Sequence, residues 1–157
     1  MEQQTLTQEK NGTIAILTLS RAHCLDIEGK HVLTKAIHEL ANDSTLRAVV
    51  LTARHAQAWL VNVAELAEMS PHEARAFSRS GHHLGDALTE LPVPVIAAID
   101  QVAVGGGCEL ALACDLILAG PSARFGQIEA MGGVLPAFGG TWRLAQRVGY
   151  QRALMML

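Results

Sequence analysis

AVGGGCELALACDLILAGPSARFGQIEA, residues 103–130, is apolar almost throughout, yet it carries Glu109 and Glu129 twenty residues apart, with Asp115 the only other acid. A buried strand is predicted just before it at residues 95–99 (VIAAI). Three glycines at 105–107 then break the apolar run and open a helix over 108–113, and LILA at 116–119 reads as another buried strand. Strand, glycine turn, helix and strand in that order belong to an α/β layered fold with parallel strands.

The flanking sequence repeats the alternation. Residues 13–19 (TIAILTL) follow an Asn-Gly turn and are β-branched, which predicts a strand. Val32, Leu33, Ala36, Ile37 and Leu40 have helical spacing within 27–40, and AVVLT at 48–52 is a short continuous apolar run typical of a buried strand. A short helix is expected to open over 64–69. Ser70-Pro71-His72-Glu73 then starts a helix reaching about Leu91, with Ser as N-cap, Pro at the first helical position and Glu at the third. Pro92 and Pro94 end it. After the turn at Gly120-Pro121-Ser122, glycine pairs at 132–133 and 139–140 punctuate the chain, and Thr141 is expected to cap one last helix.

The 157 residues suggest a single domain, and half of them are hydrophobic, enough for a sizeable core. The net charge of −3 offers no broad basic surface, which argues against nucleic acid as a partner. The polar N-terminus has no signal or transit character and no run reaches membrane-spanning length, so no membrane partner is expected. Cys24, Cys108 and Cys114 are odd in number and lack framework spacing, as expected of reduced thiols in the cytoplasm. His82-His83, with His72 nearby, point to different helix faces and predict no metal site.

Amides at a helix start have no internal partner and lie at the positive end of the helix dipole. The glycines can therefore present N–H donors to a carbonyl oxygen that gains negative charge, a contribution of about 3 kcal/mol per donor in a transition state. The plainer alternative is a tight turn with Glu109 capping its own helix. Glu129 lies among apolar neighbours, which raise a carboxyl pKa, and a nearby Glu109 would raise it further. Two carboxylates of unlike environment can serve as general base and general acid. Alternatively, Glu129 pairs on the surface with Arg124 or Arg143.

PVIAAIDQVAVGGGCELALACDLILAG (94–120) followed by ARFGQIEAMGGVLPAFGGTWRLAQRVG (123–149) strongly resembles the enoyl-CoA hydratase/isomerase (crotonase) family, and the likeness extends from residue 13 to 157. It implies a crotonase-like spiral of ββα repeats, with residues 1–157 as one N-terminal core domain lacking the family's C-terminal helical region. It implies acyl-CoA as substrate, no cofactor beyond the coenzyme A of the substrate, and a homo-oligomer, trimer or dimer of trimers. Glu109 and Glu129 match the two acids of the hydratases, which activate water and exchange the proton at C2. Gly106 matches one oxyanion donor. The other falls in Asn62-Val63-Ala64-Glu65-Leu66 at Ala64, with Val63 the alternative register. Arg21-Ala22-His23-Cys24-Leu25-Asp26 resembles the loop that contacts CoA, so Arg21, Cys24, Leu25, Ala64 and Leu66 are the implied CoA contacts. For Arg21 a solvated surface charge is the alternative.

The chain departs from the family pattern at Val63, where a β-branched residue resists positive φ, and at Glu65, Ile128, Ala137 and Trp142. It ends at Met155-Met156-Leu157 inside an apolar helical pattern, as expected of a fragment or a naturally shortened chain. The paired acids favour a 2-enoyl-CoA hydratase. An enoyl-CoA isomerase, which often keeps only the second acid, and a non-catalytic acyl-CoA-binding paralogue are the alternatives.

Overall fold

A computed structural model describes residues 4–55 and 57–157. Strands β1 (Leu6–Asn11) and β2 (Ile14–Leu19) form an antiparallel hairpin with Asn11 opposite Ile14. Helix α1 (Ile27–Ala41), strand β3 (Ala48–Ala53), short helix α2 (Val63–Ala67) and long helix α3 (Pro71–Thr89) follow. Next come β4 (Val95–Ile99), β5 (Val102–Val104), α4 (Gly106–Ala113), β6 (Leu116–Ala119) and β7 (Arg124–Gly126). A 3-10 turn (Glu129–Gly132) leads to α5 (Gly140–Val148) and α6 (Tyr150–Met156).

The main sheet has the order β1-β2-β3-β4-β6, with every pair after the first parallel. The parallel pair β5 and β7 makes a second, smaller sheet. Strands come in pairs before a helix at β1-β2, β4-β5 and β6-β7, whereas β3 stands alone before α2 and α3. Ala15, Leu17 and Leu19 of β2, Val49 and Leu51 of β3, and Val95, Ala97 and Ile99 of β4 project one face of the main sheet into the core. Leu33, Ala36, Ile37 and Leu40 of α1 and Leu84, Ala87 and Leu88 of α3 belong to the same core. These side chains recur at period two on the strands and at three or four on the helices, as burial of one face requires.

Three strands escape the sequence pattern. In β1 only Leu6 is buried, because this edge strand presents LTQEKN largely to solvent and needs few apolar residues. β5 and β7 have three residues each, too few for a periodicity. β6, read as buried, is an edge strand with Leu116 and Leu118 more than half exposed. One correction concerns the last helix. Its N-cap is Gly139, not Thr141, and Gly149, with φ +83°, divides the segment into α5 and α6. Ala153 is buried with Leu144, while Leu154 and Met155 are exposed.

Helix α3 begins as its sequence dictates. Ser70 Oγ accepts from the Glu73 amide at 3.3 Å, and a Glu73 carboxylate oxygen accepts from the Ser70 amide at 2.8 Å. Both ends of this reciprocal cap depend on Ser70. Ser70→Ala is expected to lower stability by about 1 kcal/mol, read as a lower urea midpoint with an unchanged slope. An unchanged midpoint would show that the cap contributes nothing.

Candidate active site

Three glycines set the N-terminus of α4. Gly105 has φ +56° and ψ −129°, a conformation closed to residues with a Cβ, and its amide donates to Gly126 O at 2.9 Å. This bond ties the turn between β5 and α4 to the end of β7. Gly107 lies against the chain itself, since a Cβ there would meet Trp59 O at 1.8 Å. Gly106 and Gly107 open α4, and the first bond back into the turn is the Glu109 amide to Gly105 O at 3.0 Å. The amides before Glu109 lie in the first helical turn, where the helix supplies no acceptor.

Glu109 is 1% exposed, inside a helix buried along its whole length. Its carboxylate does not cap α4. It reaches across to the 137–140 segment, where Oε1 accepts from the Phe138 amide at 2.7 Å and the Gly140 amide at 2.6 Å, and Oε2 from the Ala137 amide at 3.2 Å. Burial pushes its pKa up. The three amides and the field of His82 oppose that shift by favouring the charged form. A deeply buried carboxyl is thus held in one orientation, with Oε2 the less engaged oxygen.

Glu129 is half-buried at the start of the 3-10 turn after β7. Its Oε1 lies 3.1 Å from where a Cβ on Gly105 would stand, so the carboxylate faces the glycine turn. Burial raises its pKa, and the charge of Glu109 raises it further. The two acids therefore meet in one electrostatic environment. Gln127, 5% exposed, joins them. With its amide nitrogen toward Glu129 it donates to both carboxylate oxygens, at 3.2 and 3.0 Å. The same carboxamide would touch a Cβ on Gly140, as would Glu109 Oε1.

The surface pairings considered for Glu129 do not form. Arg143 donates to Phe138 O at 2.7 Å and faces Asp86 at 3.6 Å, and Arg124 donates to Pro121 O and Ala123 O. Gln127 is a polar residue of this region that sequence reading left without a role. Its signal was a polar residue two positions before an acid in an apolar setting.

Val63 and Ala64 occupy the first turn of α2 after the N-cap Asn62. Val61 packs beside Gly106 and Trp59 O beside Gly107, which brings the segment leading into α2 against the start of α4. Leu66 is half-buried on α2.

The Arg21 side chain is mostly buried and engaged within the protein. Its guanidinium donates to Thr5 Oγ1 at 2.9 Å, Ala22 O at 3.1 Å, His23 O at 3.2 Å and Asp26 Oδ2 at 2.6 Å. Cys24 and Leu25 are fully buried, and the Cys24 thiol donates to Arg21 O at 2.9 Å. What this loop can offer a ligand is its backbone. The His23 amide donates to Gln57 O at 3.0 Å and holds the loop beside the segment that precedes α2. Cys24, Cys108 and Cys114 are free and buried, and burial raises each thiol pKa, to about 11 for Cys108 and about 12 for Cys114.

The enoyl-CoA hydratase/isomerase family model matches residues 9–157, and the chain belongs to that family. It is 37% identical over its whole length to the short-chain-enoyl-CoA hydratase of Clostridium acetobutylicum. It is 32% identical, again over its whole length, to the crotonyl-CoA hydratase of Syntrophomonas wolfei. The chain spans 62% of the length of each of these relatives. Among solved structures, Pseudomonas aeruginosa DspI superposes with a TM-score of 0.92 at 31% identity, over all of this chain and 66% of that one. No helix among the described residues is long and apolar enough to cross a membrane.

Proposed function

We propose that this chain carries the acid/base centre of a 2-enoyl-CoA hydratase acting on short acyl chains. The observation that supports it best is that Gln127 lies beside both acids, donating to Glu129 and packing with Glu109 Oε1 against Gly140, while Glu129 faces the glycine turn that opens α4 and both carboxyl pKa values are raised. The short-chain assignment follows the two relatives named above.

In the proposed reaction the thioester oxygen accepts from the amides of Gly106 and Ala64. Water lies between the Glu109 carboxylate and the protonated carboxyl of Glu129. Its oxygen bonds to C3 as one proton passes to Glu109. Charge that develops on the thioester oxygen is stabilised by the two amides, and Glu129 delivers a proton to C2. The net change is one water added across the double bond. Glu109 then releases its proton to solvent and Glu129 takes one up, so both acids return to their starting states and the scheme calls on no redox or metal cofactor. The CoA contacts come from the backbone at Cys24 and Leu25, with Leu66 beside them. Arg21 braces that loop. The exposed Met131, Leu135 and Met155 fit a homo-oligomer, and three free thiols fit a cytoplasmic protein.

The test is the decay of the conjugated enoyl-thioester absorbance when crotonyl-CoA is added to the full chain. Turnover supports the reading. Crotonyl-CoA bound without turnover would instead identify an acyl-CoA-binding paralogue.

A further inference from the structure

Lys30 is the one lysine among the described residues whose side chain is completely buried, and the hydration scheme leaves it without a task. It sits in the first turns of α1, facing α3. Nζ donates to Phe77 O at 3.0 Å and lies over the Phe77 ring, 3.1 Å from its centroid. It also lies 4.4 Å from the centroid of Phe138. The two rings tilt against each other at 5.2 Å. Phe138 in turn occupies space left by two glycines, since a Cβ on Gly81 or on Gly106 would collide with its ring. The same residue donates its amide to Glu109 and accepts from Arg143.

A buried ammonium is expensive when an apolar side chain would fill the space. Here it stands one ring away from the residue that holds the buried carboxylate. We infer that Lys30 is a positioning residue for the acid/base centre: it clamps Phe138 over Gly106 and so holds the Phe138 amide on the Glu109 carboxylate. The inference rests on the role proposed above for Glu109.

The charges around Lys30 agree with this. Burial lowers its pKa to about 7. Asp26 at the N-cap of α1, Glu109 on α4 and Glu65 on α2 all favour its charged form. From α3, the field of His82 favours the charged form of Glu109, and Asp86 faces Arg143 of α5. Below about pH 7 Lys30 is a cation.

The sign of the stability effect is opposite to that of the activity effect. A lysine whose pKa is lowered on folding binds fewer protons in the native state than in the unfolded chain between about pH 7 and the ordinary lysine range. Wild-type stability attributable to this group therefore rises with pH through that window. Lys30→Met fills the same volume without the charge. The variant is expected to melt higher than the parent below pH 7, with the gap closing as pH rises above 7. Its Glu109 carboxyl should titrate at higher pH, because a Phe138 released from the clamp donates less firmly to Oε1 and the hydrogen bond that favours the ionised form weakens.

The experiment follows the 13C chemical shift of the Glu109 carboxyl against pH in the parent and in Lys30→Met, beside the acid limb of kcat/KM for crotonyl-CoA and the melting temperature at pH 6 and pH 9. An upward move of the Glu109 titration, matched by the acid limb and accompanied by a higher melting temperature at pH 6, supports the inference. A Glu109 titration that stays in place overturns it, and so does a variant that loses stability and activity together with an unchanged pH profile. The carboxyl titration needs no turnover. A parent that proves inactive would therefore overturn the hydratase reading while leaving the coupling between Lys30 and Glu109 measurable.

Discussion

Glu129→Gln is expected to slow crotonyl-CoA hydration by about 10²-fold or more, and Glu109→Gln by a similar factor, with KM changed far less. Each substitution keeps the size of the side chain and removes the ability to move a proton. At position 109 the glutamine oxygen can still accept from the Phe138 and Gly140 amides, which hold Oε1, while the new NH₂ faces only the longer contact from Ala137. The fold should therefore survive. The linkage agrees. A buried carboxyl with a raised pKa binds more protons when folded, so it lowers stability as pH rises from the ordinary carboxylate range through the raised value. A neutral glutamine carries no such penalty at pH 7. Lost turnover with an undiminished melting temperature is the expected signature. The pair also separates the competing reactions. Hydration needs both acids, whereas an isomerase that shuttles one proton would lose activity with Glu129→Gln and tolerate Glu109→Gln. That asymmetric outcome would sink the two-carboxylate scheme.

Much of this site was legible in the sequence, because its chemistry sits on short-range features. The glycines at 105–107, Glu109 in the first turn of the next helix, and Glu129 after Phe125-Gly126-Gln127 all mark themselves locally. The sequence did not say where the Glu109 carboxylate points. A capping role on its own helix and a role across the site both fit the same residue. The structure decides it through the 137–140 amides, nearly thirty residues downstream. Arg21 shows the reverse. An arginine in a loop reads as free to meet a phosphate, and only tertiary contacts reveal four acceptors from the protein itself. The missed strands have a common cause. β1 is polar because it is an edge, and β5 and β7 are too short to display a period. Lys30 lay in the expected helix, but a lysine on an amphipathic face normally reaches solvent, and nothing local indicated that two phenylalanines would enclose it.

Gly107→Ala is expected to be among the most damaging substitutions of a single methyl group in the described structure. Its Cβ would stand 1.8 Å from Trp59 O and 2.8 Å from Trp59 C, so the obstacle is main chain and no rotamer change relieves it. Either α4 or the Trp59 segment must move by more than an ångström. Trp59 is itself 1% exposed in the core, and the residues after it lead directly into α2. Overpacking of this severity destabilises by about 3 kcal/mol, or about 9 °C in melting temperature for a chain of this size. The same displacement separates the start of α2 from the start of α4, which carry the two amides proposed to hold the thioester oxygen. Turnover should therefore fall even at temperatures where the variant remains folded. Gly132→Ala is the matching control for stability. It has no positive φ and no atom within 4 Å of the added carbon, and should melt within about 1 °C of the parent. Equal melting temperatures for the two variants would mean that the Trp59 carbonyl does not rest on Gly107, and the apposition of α2 and α4 would lose its main structural support.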